Sequence, residues 1–330
     1  MSYKENKPKI RLMQSADQDY FLDCIDELYS TIEKQAGAYQ VTRTLVKAGR
    51  IKSFLVRKLS AMPGLLNFKV RIANSDTINF ASMISGDFRL MIPACFFTTQ
   101  NYIYMYDVWP RFHKWIFPML RFFNISYVFF SSKQVYEAYQ QYDALAHKRA
   151  MWLPEALDLS AYKFKPHTER SNDVLEFGRN YDRYHDLILQ PLREAGYSHV
   201  FKTPEMPVLF PGKAAFTTSL ADSRIVICVP SNISHPGRAE YISTMTLRYL
   251  QAMASKCLIV GILPSDMEEA FGYIPIVEID MDRAGEQLTN ILANYQQYLP
   301  LIEKNYEEVK TKHQWINRWA IIQQKMEENR

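Results

Sequence analysis

Cysteine is scarce: Cys24, Cys95, Cys228 and Cys257 are the only four, far apart and mostly in apolar surroundings. That excludes a disulfide framework and the paired spacing of a zinc module, and leaves buried free thiols as the expectation. Long apolar runs are missing too. No window offers about 18 uninterrupted apolar residues, so no membrane-crossing helix is expected. The charged opening Met1-Ser2-Tyr3-Lys4-Glu5-Asn6-Lys7 is not followed by a signal-peptide core, which makes a cytoplasmic location the expectation. Repeats and low-complexity tracts are absent. A formal net charge of only +4, with no nucleic-acid motif beside it, argues against a nucleic-acid partner.

What is present is a chain of 330 residues, 48% hydrophobic and 22% charged. One core rarely grows that large, and two α/β domains of about 150 residues each are the natural division. In the first half, residues 10–13, 90–92 and 102–106 read as strands, and 20–34 has helical spacing through Phe21, Cys24, Ile25 and Leu28. Ser126-Tyr127-Val128-Phe129-Phe130 reads as a buried strand before a helix over 133–142. The loop Trp152-Leu153-Pro154-Glu155-Ala156-Leu157-Asp158 and a polar stretch at 163–172 put the domain boundary between Pro154 and Ser171.

The stretch 224–261 carries the most chemistry. Ile225-Val226-Ile227-Cys228-Val229 and Cys257-Leu258-Ile259-Val260 read as strands; between them, 244–254 places Leu247, Leu250 and Ala254 on one helical face with hydroxyls at its start. The connecting loop, 230–238, is too long and polar to be only a connector. It delivers the chain to a helix N-terminus, whose N–H groups and dipole suit an anion such as a diphosphate.

At this point the chain resembles the C-terminal domains of GT-B nucleotide-sugar glycosyltransferases, of the group 1 or family 4-like kind. Their pattern Glu-Gly-Phe-Gly-Leu-Pro-Leu-Leu-Glu-Ala-Met-Ala-Cys-Gly, followed by a buried strand, aligns at its end with Gln251-Ala252-Met253-Ala254-Ser255-Lys256 and then 257–261. Its two glutamates fall on Ser243 and Gln251, a departure that puts the retaining mechanism tied to that pair in question. The resemblance implies a donor nucleotide and phosphate site made of Ser243, Thr244, Met245, Thr246, Leu247, Arg248 and Gln251. It also aligns Val174-Leu175-Glu176-Phe177-Gly178-Arg179 with the family's strand ending Gly-Arg, and Arg183 with the basic residue that follows. Arg179 and Arg183, with Lys213 as a third candidate, would neutralise the leaving diphosphate; two solvated arginines on a turn are the alternative. Asp266, Glu268 and Glu269 read as first-turn partners of a helix dipole.

The implied fold is α/β: two Rossmann-like domains with parallel sheets facing across a cleft. Residues 1–155 would bind the acceptor and 156–310 the donor. Helices over 284–305 and 308–328 would close the chain, with 311–330 returning to the first domain through Trp315 and Trp319. The implied activity is metal-independent transfer of a sugar from a nucleotide-diphosphate sugar, with a UDP-sugar such as UDP-glucose the expected donor. No separate cofactor is implied. The acceptor would be a saccharide or lipid-linked saccharide of polysaccharide or cell-envelope synthesis. A non-catalytic GT-B-like partner subunit, a glycosyl phosphorylase and a nucleotide-sugar epimerase are the alternatives.

For catalysis the first half offers Asp107, at the end of the aromatic strand Tyr104-Met105-Tyr106, with His113 as a second candidate base and Asp87 as a third carboxylate. A turn or helix cap is the competing use of Asp107. Between 41 and 60 the basic residues Arg43, Lys47, Arg50, Lys52, Arg57 and Lys58 interleave with Leu45, Val46, Ile51, Phe54, Leu55 and Leu59, and no acid interrupts them. This face suits an anionic membrane at the cytoplasmic side, or else a helix whose apolar side packs inward.

Overall fold

The computed structural model describes residues 8–16, 23–62, 72, 75–178, 180–206 and 208–329. Chain contacts divide it into two compact units, one of Met1–Pro154 with Trp315–Arg330 and the other of Glu155–Gln314.

The first unit is built on strands β1 (Lys9–Ser15), β2 (Gln40–Val46), β3 (Ile78–Ile84), β4 (Asn101–Tyr106), β5 (Ile125–Phe130) and β6 (Ala150–Trp152), joined in the order β2-β1-β3-β4-β5-β6. Every pairing is parallel. Helices α1 (Asp23–Lys34), α2 (Arg50–Ala61), α3 (Pro110–Phe122) and α4 (Lys133–Tyr142) connect them. β3 and β4 are buried along their length and rich in apolar and aromatic residues, as expected for a parallel sheet covered on both faces.

Two sequence-based expectations change here, and one strand was not foreseen. Residues 90–92 are not a strand: Phe88–Met91 is a short 3-10 turn capped by Asp87, and the Ile92–Pro93 bond that follows is cis. The strand over 78–84 escapes a search for period-2 alternation because both its faces are buried. The basic stretch 41–60 is not one surface helix: β-branched 41–46 form the edge strand β2, and only from Arg50 does the chain turn helical.

The second unit contains β7 (Asn172–Glu176), β8 (His199–Val200), β9 (Ser223–Cys228), β10 (Leu258–Gly261) and β11 (Val277–Glu278), parallel throughout in the order β11-β10-β9-β7-β8. Its helices are α5 (Asp182–Glu194), α6 (Lys213–Ala221), the single turns α7 (Ser231–Ser234) and α8 (Pro236–Ala239), then α9 (Leu247–Ala254), α10 (Met267–Phe271), α11 (Ala284–Ala293) and α12 (Leu299–Lys312). Alternate strand residues feed two cores. Leu175, Val226, Cys228 and Ile259 join α9 on one face, while Val174, Ile225, Ile227 and Val260 join α5 and α11 on the other. β10 lies so close to β9 that a Cβ at Gly261 would sit 1.8 Å from the Cys228 carbonyl oxygen, which explains the glycine.

The expected helix over 284–305 breaks at 294–298, because Pro300 can start a helix but not continue one. The expected helix over 308–328 breaks at His313, whose carbonyl accepts from Leu157 N–H while Gln314 pairs with Leu157. Beyond the break, α13 (Trp315–Glu328) belongs to the first unit. Trp315 meets the ring of Tyr104 at 5.7 Å, Trp319 Nε1 donates to Gln35 O (3.2 Å), and buried Arg318 donates to Pro154 O (2.8 Å). No described helix is long and apolar enough to cross a membrane.

Candidate functional site

In an open parallel sheet, the crevice that binds ligands lies at the C-terminal ends of the strands where the strand order reverses. In the second unit that point is between β7 and β9, and Arg248 fills it. From the first turn of α9 its guanidinium donates to Phe177 O beyond β7 (Nη1, 3.3 Å) and to Val229 O beyond β9 (Nη2, 2.8 Å). Gly178, at φ +75°, turns the chain against the same side chain; a Cβ there would lie 3.0 Å from Arg248 Cδ. Arg179, next in the chain, lies outside the described residues.

α9 starts later than its periodicity suggests. Thr246 is its N-cap in extended conformation, yet it makes no capping bond. Its buried Oγ1 has no hydrogen-bond partner among the described residues, and neither does Asn232 Oδ1 in the connection from β9. Two polar atoms left in this state at the mouth of a sheet are where a ligand would satisfy them.

The segment before the helix is held from behind by Asp266, 2% exposed, whose carboxylate accepts from Thr244 Oγ1 (2.5 Å) and from Met245 N (2.8 Å). Ser265 Oγ donates to Ser243 O (2.6 Å), and Ser265 N to Ser243 Oγ (3.3 Å). The dipole-partner reading of Asp266 therefore changes: its charge is spent on two buried donors. Thr244 and Met245 likewise change role, the first bound to Asp266, the second with its side chain in the core and its N–H on the same carboxylate. Gln251 is buried as well, donating to Tyr162 Oη (3.0 Å), so at this position the side chain serves the core. Leu247 is half-buried against that core.

Two cationic candidates lie at helix starts. Lys213 is exposed at the first position of α6, one turn before Phe216, whose ring packs on Phe177 at 4.9 Å. Arg183 is exposed in the first turn of α5.

In the first unit the polar groups gather where β3 and β4 end. Asp107 follows β4 directly with φ 51°, and Ser85 follows β3 with φ 51°; both are non-glycine residues in the left-handed region, which costs about 1 kcal/mol or more each. The two are tied together: Ser85 Oγ donates to Asp107 O (2.9 Å) and Ser85 N to Tyr106 O (2.9 Å). His113, in the first turn of α3, has Nε2 3.1 Å from Val108 O and its ring stacked on Phe117. Asp87 is occupied by Arg89 through a two-bond pair of 2.6 and 2.9 Å, besides capping its own turn. Ser85 carried no sequence signal; its importance rests on its backbone angle.

α2 does not turn its apolar side inward. Leu59 is its buried residue, whereas Ile51 is 85% exposed and Phe54 53%, with Leu55 exposed beside them and the cations of Arg57 and Lys58 over the Phe54 ring.

One cluster was invisible in the sequence. Glu176 at the end of β7, His185 on α5 and His199 on β8 meet in the second unit, with His185 Nδ1 and His199 Nε2 at 2.8 and 2.7 Å from the same Glu176 oxygen. Burial works to raise the Glu176 carboxyl, but the hydrogen bonds from both histidines outweigh it and hold it below the usual range. The same bond raises His185. The triplet Asp280-Met281-Asp282 has the spacing of an Asp-x-Asp metal motif, but Asp280 accepts from Asp282 N, Arg283 N and Arg283 Nε as the cap of a turn.

No family model matches the sequence, and no curated protein matches it. Solved structures do. A glycosyltransferase from Rickettsia africae superposes with TM-score 0.62 at 11% identity, covering 98% of this chain and 100% of that one. The Anabaena protein HepE in complex with UDP and glucose gives 0.60 at 9% identity, over 96% and 99% of the two chains. Sucrose-phosphate synthase from Thermosynechococcus elongatus gives 0.59 at 11%, over 96% and 98%. With two parallel sheets, each wound as a Rossmann-like unit, and with these likenesses over nearly the whole chain, the protein has the GT-B fold.

Proposed function

We propose that the chain is a glycosyltransferase that takes a nucleotide-diphosphate sugar on its second unit and a sugar acceptor on its first. The observation that carries this reading is the switch point between β7 and β9, where Arg248, the start of α9 and the unpartnered Thr246 hydroxyl stand together. A diphosphate there meets helix N–H groups, a hydroxyl and a guanidinium, with Arg179, Arg183 and Lys213 as further cations and Ser243 and Leu247 flanking. HepE, similar in fold, is known in complex with UDP and glucose, which supports uridine as the base.

In the reaction the acceptor oxygen bonds to the anomeric carbon as the bond from that carbon to the phosphate oxygen breaks. The bonding pair leaves with the diphosphate, where the cations stabilise the added charge. The proton goes to Asp107 or His113, at the C-terminal side of β4. A base there favours direct displacement with inversion, and no metal ion is needed for the leaving group. The exposed basic and apolar face of α2 supports a lipid-linked acceptor at an anionic membrane surface, on the cytoplasmic side, as part of polysaccharide or envelope synthesis.

Gln251 supports a second reading, a nucleotide-binding partner subunit without turnover, because it is neutral and committed to Tyr162. Thermal unfolding with a panel of nucleotides, followed by UDP-sugar turnover, separates the two. UDP at a hundred times its Kd should add about 2.7 kcal/mol, and Thr246→Ala and Arg183→Ala should each reduce the shift. Stabilisation without turnover of any UDP-sugar favours the partner subunit, and no shift with any nucleotide removes both readings.

A further inference from the structure

We propose that Glu176, His185 and His199 form a site for one divalent transition-metal ion of the zinc class. The three side chains come from β7, α5 and β8, and their ligand atoms, one carboxylate oxygen and two imidazole nitrogens, all lie within 4.8 Å of one another. Bonds of about 2.0–2.1 Å to a tetrahedral ion put the ligand atoms about 3.3 Å apart. The two Glu176–histidine pairs, at 2.8 and 2.7 Å, thus need to open by about half an ångström, and the two imidazole nitrogens, within 4.8 Å of each other, to settle at the same spacing.

The donor set selects the metal. Two imidazoles and a single carboxylate suit zinc, cobalt, nickel or copper, whereas calcium and magnesium require more oxygen ligands than the site offers. The walls suit a fixed ion too. Glu176 and His199 are 3% and 6% exposed at their side chains, and the Phe201 ring packs 4.6 Å from both imidazoles. His185, 15% exposed, marks the side from which an ion and a fourth, water ligand would enter.

As a hydrogen-bond cluster alone the arrangement is hard to account for. One buried carboxylate oxygen takes two imidazole donors brought from separate elements. Three apolar side chains would fill the same space without desolvating polar groups. With the ion in place, the end of β7 is fastened to α5 and β8 directly before the turn at Gly178. The role is structural, and it does not depend on the sugar-transfer reading.

The test uses the full chain stripped with a chelator. Titration with zinc chloride, followed by calorimetry, should give one saturable equivalent, and zinc should raise the unfolding temperature. Cobalt chloride should give the visible absorption bands of a four-coordinate nitrogen and oxygen site. Glu176→Gln, near in shape, and His185→Ala should each weaken zinc binding by more than about a hundredfold, beyond the 10–100-fold typical of losing an outer-shell partner; His147→Ala, at an exposed histidine of the first unit, should not. The proposal fails if wild-type protein shows no saturable zinc and no cobalt bands, a result that needs no variant to fold. It also fails if binding survives Glu176→Gln and His185→Ala unchanged.

Discussion

β1 to β5 of the first unit and β7 to β11 of the second are wound in the same strand order, yet their strand ends are finished in opposite ways. In the second unit side chains do the work: Arg248 spans two strand ends, and Asp266 holds the approach to α9 with two buried bonds. In the first unit two backbone angles do it, with left-handed Ser85 and Asp107 tied across β3 and β4 by the Ser85 hydroxyl and by the bond from Ser85 N to Tyr106 O. A diphosphate is a fixed shape with fixed charge, and a pre-built polar cradle suits it. An acceptor hydroxyl would need one correctly aimed group, which backbone geometry can supply with few side-chain partners.

The sharpest way to break this contrast is Asp107→Asn. Turnover should fall about 100–10,000-fold, while the UDP-induced thermal shift stays as in wild type; a full rate in this variant would pass the role to His113. Next in size is Asp266→Ala, which orphans Thr244 Oγ1 and Met245 N. Loss of about 3 kcal/mol is expected, read in urea as an earlier transition of the second unit with the first unmoved. A common shift of both transitions would show that the units do not melt independently.

A smaller effect of opposite sign tests the first unit. Asp107→Gly relieves a positive φ and should raise stability by about 1 kcal/mol while abolishing turnover. Unchanged stability would mean the angle carries no strain. The smallest effect is acid sensitivity at Asp222. Burial tends to raise its carboxyl, but hydrogen bonds from Lys165 and Ser171 outweigh this and hold it below the usual range. A folded pKa below the unfolded one gives stability that is present above the unfolded value, about 3.9, and lost as pH falls through the lowered one. Asp222→Asn should flatten that part of the stability profile.

Much of the architecture could be read from the chain. The runs at 225–229 and 257–260 marked β9 and β10, and Trp315 and Trp319 marked the face of α13 that is buried in the first unit. Misreadings came where local pattern is silent. β3 is buried on both faces and shows no alternation, and Leu90-Met91-Ile92 is apolar enough for a strand but is bent by the cap at Asp87 and by Pro93. In the site, Arg248 could be singled out because helix, loop and strand are contiguous in sequence. Asp266 could not be assigned its role, since its partners lie 21 and 22 residues away. Glu176, His185 and His199 are spaced like no metal motif and meet only because β8 pairs with β7.

The pairing of Leu157 with Gln314 has a consequence for how such a protein can be altered. It brings the entry and exit of the second unit side by side, so that residues 155–314 are topologically a cassette inserted into the first unit's chain. Cutting at those two adjacent points breaks no strand of either sheet. Exchange of the cassette between related chains is therefore a route by which one unit could be replaced in a single recombination step, with the other unit and its closing helix inherited intact.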